Sequence, residues 1–133
     1  MSATSLRTVR EELRTLLKEY SKKEISSKSE EQAHKDEAAY AATGLKSTDI
    51  ADRIRSVEFL EILGDNPFAQ DYLLLAMNDR EGSVVQKAIH AMGKVADRRS
   101  IPKLQNFAKS TTSKHLINEI TRIIGKIERK AQV

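Results

Sequence analysis

The chain repeats itself with a period of 32 residues, and that period limits what it can fold into. The shift places Gly64-Asp65 on Ala96-Asp97, Ser56 on Ala88, Val57 on Ile89 and Leu60 on Met92. It also carries Val84-Val85 to Leu116-Ile117, Ala91-Met92-Gly93 to Ile123-Ile124-Gly125, and Val95 to Ile127. Two unrelated amphipathic helices would match in hydrophobicity. They would not share a Gly-Lys-(Val or Ile) step and an Asp-bearing turn at one period. Self-similarity at such a length marks stacked supersecondary units, none of which buries its apolar face alone.

The units read as helices. Thr48 is expected to cap a helix with Ile50, Ile54, Val57, Leu60 and Leu63 inward, ending at Gly64-Asp65. Pro67 opens a strongly apolar helix containing Phe68, Tyr72, Leu73, Leu75, Ala76 and Met77, and Asn78 to Ser83 breaks it. A third helix runs through Val84, Ala88, Ile89, Met92 and Val95. Pro102 sits near the start of its partner, where Ile101, Leu104 and Phe107 point inward. After Ser110-Thr111-Thr112-Ser113 a last helix carries Leu116, Ile120, Ile123 and Ile127. Both prolines stand where helices open, and no Asn-Gly or Asp-Gly turn marks a hairpin of strands. Ala88, Ala91 and Gly93 are expected to let neighbouring helices approach closely.

Residues 1–47 lack the repeat. Leu6, Val9, Leu13, Leu16, Leu17 and Tyr20 form one stripe of a helix from about Ser5 to Ser21. A polar connection containing Ile25 follows. Ser29-Glu30-Glu31-Gln32 has the form of a capping box, opening an alanine-rich helix that Gly44 is expected to end in a left-handed conformation. The expected architecture is all-α and a single folded unit. An N-terminal helix pair (1–47) acts as a cap on about two and a half hairpins, 48–78, 79–110 and a partial 111–133.

The run Ala88-Ile89-His90-Ala91-Met92-Gly93-Lys94-Val95-Ala96-Asp97-Arg98-Arg99-Ser100-Ile101-Pro102-Lys103-Leu104 resembles the short bacterial HEAT repeat named after phycobilisome lyases. That unit has small residues in its first helix, a Gly near the end of it, an Asp in the turn, and Ile-Pro-x-Leu opening the second helix. The resemblance is close over 79–110, looser over 48–78, and restricted to the first helix over 111–129. It implies an α-solenoid whose second helices line the partner-binding surface.

Chemistry finds little to work with. Zero Cys excludes thiol catalysis and disulfides and removes the strongest zinc ligand. Glu31 and His34 have the Glu-x-x-His spacing of di-iron bundles, but no second copy exists, and HEAT-type di-iron enzymes use His-Glu dipeptides that are absent here. There is no nucleophile elbow and no phosphate loop. Gly93-Lys94 and Gly125-Lys126 recur because the repeat recurs. No catalytic residue, metal or other cofactor is expected, so the chain reads as no enzyme.

Charge supplies the one functional signal. Residues 48–97 carry five basic and nine acidic side chains, net −4, whereas residues 98–133 carry nine and two, net +7. Arg98, Arg99, Lys103, Asn106 and Lys109 surround the second helix of the best-matched repeat and are the expected partner-binding residues. On that helix Lys103, Asn106 and Lys109 are expected to face out. A cytoplasmic adaptor binding another, acidic protein is the leading expectation. Nucleic-acid binding, as in HEAT-like DNA-repair proteins, is the first alternative, disfavoured by the absence of Trp and by three Phe and three Tyr only. A fold-level relationship to bilin lyase subunits is the second. The chain shows no apolar N-terminal leader and no run of about 20 apolar residues, so neither a signal peptide nor a membrane partner is expected.

Overall fold

The computed structural model describes residues 8–16, 18 and 29–131, and every regular element among them is helical. The first helix, α1, covers residues 8–16. It is followed by α2 (Glu30–Ala41), α3 (Ile50–Ile62), α4 (Pro67–Ala76), α5 (Gly82–Val95), α6 (Ile101–Ser110) and α7 (Lys114–Ala131). Short 3-10 turns at Thr43–Lys46 and Arg98–Ser100 precede α3 and α6. The expected contributions of Leu6, Leu17, Tyr20 and the connection through Ile25 lie outside the described residues.

The helices begin where local chemistry starts them. Ser29 Oγ accepts from the Gln32 amide at 3.2 Å, Asp49 from Ala51 at 2.9 Å, and Asn66 from Phe68 at 2.9 Å. Each satisfies one of the orphan amides of a first turn. Asp49, not Thr48, is therefore the cap of α3, and Ile50, the first residue inside it, is exposed rather than inward. Pro67 occupies the opening of α4 and Pro102 that of α6.

Helix α3 packs on α5 and α5 on α7, while α2 packs on α4 and α4 on α6. The two series meet through α2–α3, α3–α4, α4–α5 and α6–α7. One core results, in which Val57, Leu60, Leu63, Leu73, Val84 and Leu104 are fully buried. Ala38, Ala69 and Ala88 are also buried completely, and such small side chains let helix axes lie close.

Polar side chains join elements separated by nearly the repeat spacing. Asn66 Nδ2 donates to the His34 carbonyl at 2.8 Å and to Glu37 Oε1 at 3.1 Å. Ser100 Oγ donates to Gln70 Oε1 at 2.6 Å, and Gln70 Nε2 donates to the Gly64 and Val95 carbonyls at 3.3 and 3.4 Å. Buried Arg53 pairs with Asp79 at 3.0 Å and donates to the Ser47 and Thr48 carbonyls at 2.9 and 3.1 Å, tying two loops together.

Two glycines play parts other than those expected. No glycine among the described residues has a positive φ, so Gly44 is not a left-handed stop. A Cβ there would lie 2.4 Å from Ser56 Oγ and 2.8 Å from the Asp52 carbonyl oxygen; close approach to α3 is its reason. Gly93 has the reverse history. A Cβ on it would meet only Ile123 Cγ1 at 3.9 Å, so it is not needed for packing.

Candidate partner-binding face

The surface of the α2–α4–α6 series combines an apolar stripe with charge. Helix α4 is apolar on more than one side: Ala69, Leu73 and Ala76 enter the core, while Phe68, Tyr72 and Leu75 follow one another at spacings of four and three along its outer part. Leu75 is 63% exposed, the most exposed large apolar side chain among the described residues. Phe68 and Tyr72 are half-buried.

Grooves flank that stripe. Toward the start of α4, Phe68, Asp71 and Tyr72 face Gln32, Lys35 and Ala39 of α2 across a concavity of about 390 Å³. Toward its end, Tyr72, Leu75 and Ala76 face Ala42, Leu45 and Lys46 across one of about 240 Å³. Lys35 Nζ stands 5.5 Å from the Phe68 ring centroid, within cation–π range. The stripe thus has a polarised aromatic end and a bare aliphatic end.

The residues expected from sequence do not behave as one patch. Lys103 is half-buried; its Nζ pairs with Asp71 at 2.9 Å and donates to the Pro67 carbonyl at 3.1 Å. It lies at the surface of α6, with its charge engaged in joining α6 to α4. Arg99 is exposed but pairs with Asp97 at 2.9 Å. Hydrogen bonds from Arg99 are the largest influence on the Asp97 carboxyl; they outweigh its slight burial and hold its pKa below the ordinary value. Arg98, Asn106 and Lys109 are exposed, and neither Arg98 nor Lys109 has an ion pair among the described residues. Two of the five residues are therefore committed internally.

The histidines do not converge. His34 and His90 are exposed on different helices, and His115 shares a 2.8 Å hydrogen bond with Gln86. Glu31 lies 3.9 Å from Lys35 in an i,i+4 pair. Among the described residues no group of three or more His, Asp or Glu is arranged to hold a metal ion, and no helix is long and apolar enough to cross a membrane.

A further concavity of about 540 Å³ lies between α1, the end of α2 and α3, where Leu13, Leu16, Tyr40 and Phe59 form its walls. Its Asp52 and Arg55 pair with each other at 3.8 Å. No protein family, curated protein or solved structure matches the chain.

Sequence reasoning missed the α4 stripe as a site because it treated the apolar residues of that helix as core. The signal was present. A ten-residue helix with Phe68, Ala69, Tyr72, Leu73, Leu74, Leu75 and Ala76 has more apolar side chains than one buried face can take.

Proposed function

We propose that the chain is a HEAT-like α-solenoid that works as a non-catalytic adaptor, binding another protein along the α2–α4–α6 surface. The contacts between helices two apart, the turn-to-helix hydrogen bonds near the repeat spacing and the 32-residue sequence period support the solenoid. Its N-terminal pair, α1 and α2, caps the stack: α2 packs on α4 as α4 does on α6.

The observation that carries the adaptor reading is Leu75, exposed at the end of a Phe68–Tyr72–Leu75 stripe with cations on either side. Among the described residues that side chain belongs neither to the core nor to the apolar residues packed against it. Burying such an anchor in a partner's pocket is how protein interfaces concentrate their affinity. Lys46 and Asp79 border the groove at Leu75, Lys35, Asp36 and Asp71 that at Phe68, and Lys109 on α6 is exposed with no ion pair among the described residues. An apolar centre with a rim of mixed charge, acidic where it meets α6, is the complementary partner surface.

The test is a capture experiment from the native host with the wild type and Leu75→Asp side by side. The substitution should weaken binding of the recovered protein by at least about tenfold, a hot-spot effect. Folding stability should move by no more than about 0.5 kcal/mol, because the side chain is exposed. Unchanged recovery by the variant contradicts the adaptor reading at this face.

A further inference from the structure

Two junctions in the molecule are related by the 32-residue shift, and only one of them is closed. At the first, the end of α5 meets the turn after α3. Gly64 lies so close to Val95 that a Cβ on it would sit 2.4 Å from Val95 Cγ1. Lys94 Nζ lies 3.5 Å from Glu61 Oε1, a charge pair without hydrogen-bond alignment, in which the acid is largely buried and the lysine exposed.

At the second junction, the end of α7 meets the turn after α5, and each of those residues has its counterpart. Val95 becomes Ile127, Lys94 becomes Lys126, Gly64 becomes Ala96, and Glu61 becomes Gly93. Ala96 brings the Cβ that the first junction excludes, so the same approach is barred there. Gly93 removes the acid. A pocket of about 250 Å³ stands open, with Gly93, Ala96 and Ile127 at its base and Arg98, Lys126 and Lys130 around it.

None of those three cations has an ion pair among the described residues. Asp97, the one acid lining the pocket, is occupied by Arg99 and by the Arg99 amide. Lys126 and Lys130 are four apart on one side of α7, whereas Glu128 lies on another.

We infer that this pocket binds an acidic peptide segment of a partner protein, placing a carboxylate at Lys126 where Glu61 stands at the first junction and an apolar side chain over Gly93, Ala96 and Ile127. The inference rests on the adaptor reading only in taking the ligand to be protein. A compact phosphate is a poorer fit. A phosphate has no apolar part to cover Gly93, Ala96 and Ile127, whereas a peptide can place a side chain over them and a carboxylate at Lys126. Nucleic-acid strands are a poorer fit as well, because no aromatic side chain lines the pocket to stack a base.

The molecule can be given back its missing acid. Space at Gly93 admits a side chain, so Gly93→Glu should set an internal carboxylate against Lys126 and displace the ligand, while Gly93→Gln fills the same space without charge. The probe is a fluorescein-labelled peptide with glutamates flanking one leucine, followed by anisotropy on the full chain. The wild type should bind it and ignore its glutamine counterpart. Gly93→Glu should bind about tenfold more weakly than Gly93→Gln, which fills the same space without charge, and Lys126→Gln should bind more weakly than wild type. Thermal melts of each variant separate lost binding from lost folding, and Lys126→Gln serves where a Gly93 variant does not fold.

Absence of peptide binding by the wild type overturns the inference, as does equal binding by Gly93→Glu and Gly93→Gln. Duplex DNA held more tightly than the peptide in a Lys126-dependent way overturns it in favour of nucleic acid. None of these outcomes touches the Leu75 experiment, so the pocket and the α4 face fail separately.

Discussion

Asp65 receives Arg10 and Arg14 from α1, with Arg14 Nη2 at 3.1 Å, and Arg14 also lies 3.4 Å from Glu37. Partial burial alone would raise the Asp65 carboxyl. The charges of the two arginines and their hydrogen bonds outweigh it, so the pKa lies below the ordinary 3.8. A carboxyl lowered by folding stabilises the fold above its unfolded pKa and loses that contribution as pH falls through the lowered value. Asp65→Asn should therefore be less stable than wild type at neutral pH, by no more than about 1 kcal/mol because the pair is largely solvated. The two proteins should converge at an acidic pH below that lowered value, where the wild-type carboxyl is protonated. Urea unfolding at both pH values checks this, and a difference that persists in acid would show that Asp65 acts through something other than charge. Arg53 makes the opposite kind of pair. Its burial beside Asp79 means that loss of one partner strands a charge in the interior, which is far costlier than loss at the surface.

At the scale of elements, periodicity and capping were readable because both are local. The boundaries of α3 to α6, the two helix-opening prolines and the Ser29 cap follow from residues within a turn of one another. Gly44 was not readable in this way. Its tightness comes from Ser56 and Asp52, which no local rule connects to it. The same holds for Lys103, whose charge is neutralised by Asp71 on another helix, and for Arg53, whose partner lies 26 residues away. Exposure of Leu75 required knowing which side of α4 its neighbours cover. The close approach at Gly64 gives a direct test of helix packing. Gly64→Ala should cost roughly 1–3 kcal/mol by overpacking against Val95. Most of that cost should return in the double variant with Val95→Ala, because the two changes act on one contact. Additive losses in chemical denaturation would show that the turn after α3 moves aside instead.

For the whole molecule, charge and apolar surface separate into two places. The apolar stripe sits on α4, within the acidic middle of the chain, whereas Arg98, Lys109, Lys126 and Lys130, none with an ion pair among the described residues, lie in its basic end. The sequence made the charge asymmetry visible, since a sum over residues needs no structure. It did not show which cations are spoken for, because pairing depends on the packing of helices distant in sequence. A partner spanning both places would find an apolar anchor point and an electrostatic clamp, with the clamp chiefly raising the association rate and weakening with salt. The adaptor account is tested most directly by hydrogen–deuterium exchange of the full chain with and without its captured partner. Slowed exchange across α4 and α6 is the predicted result, with α3 unchanged. Protection confined to α3, with α4 exchanging as in the free chain, would contradict the claim that this surface is where the protein works.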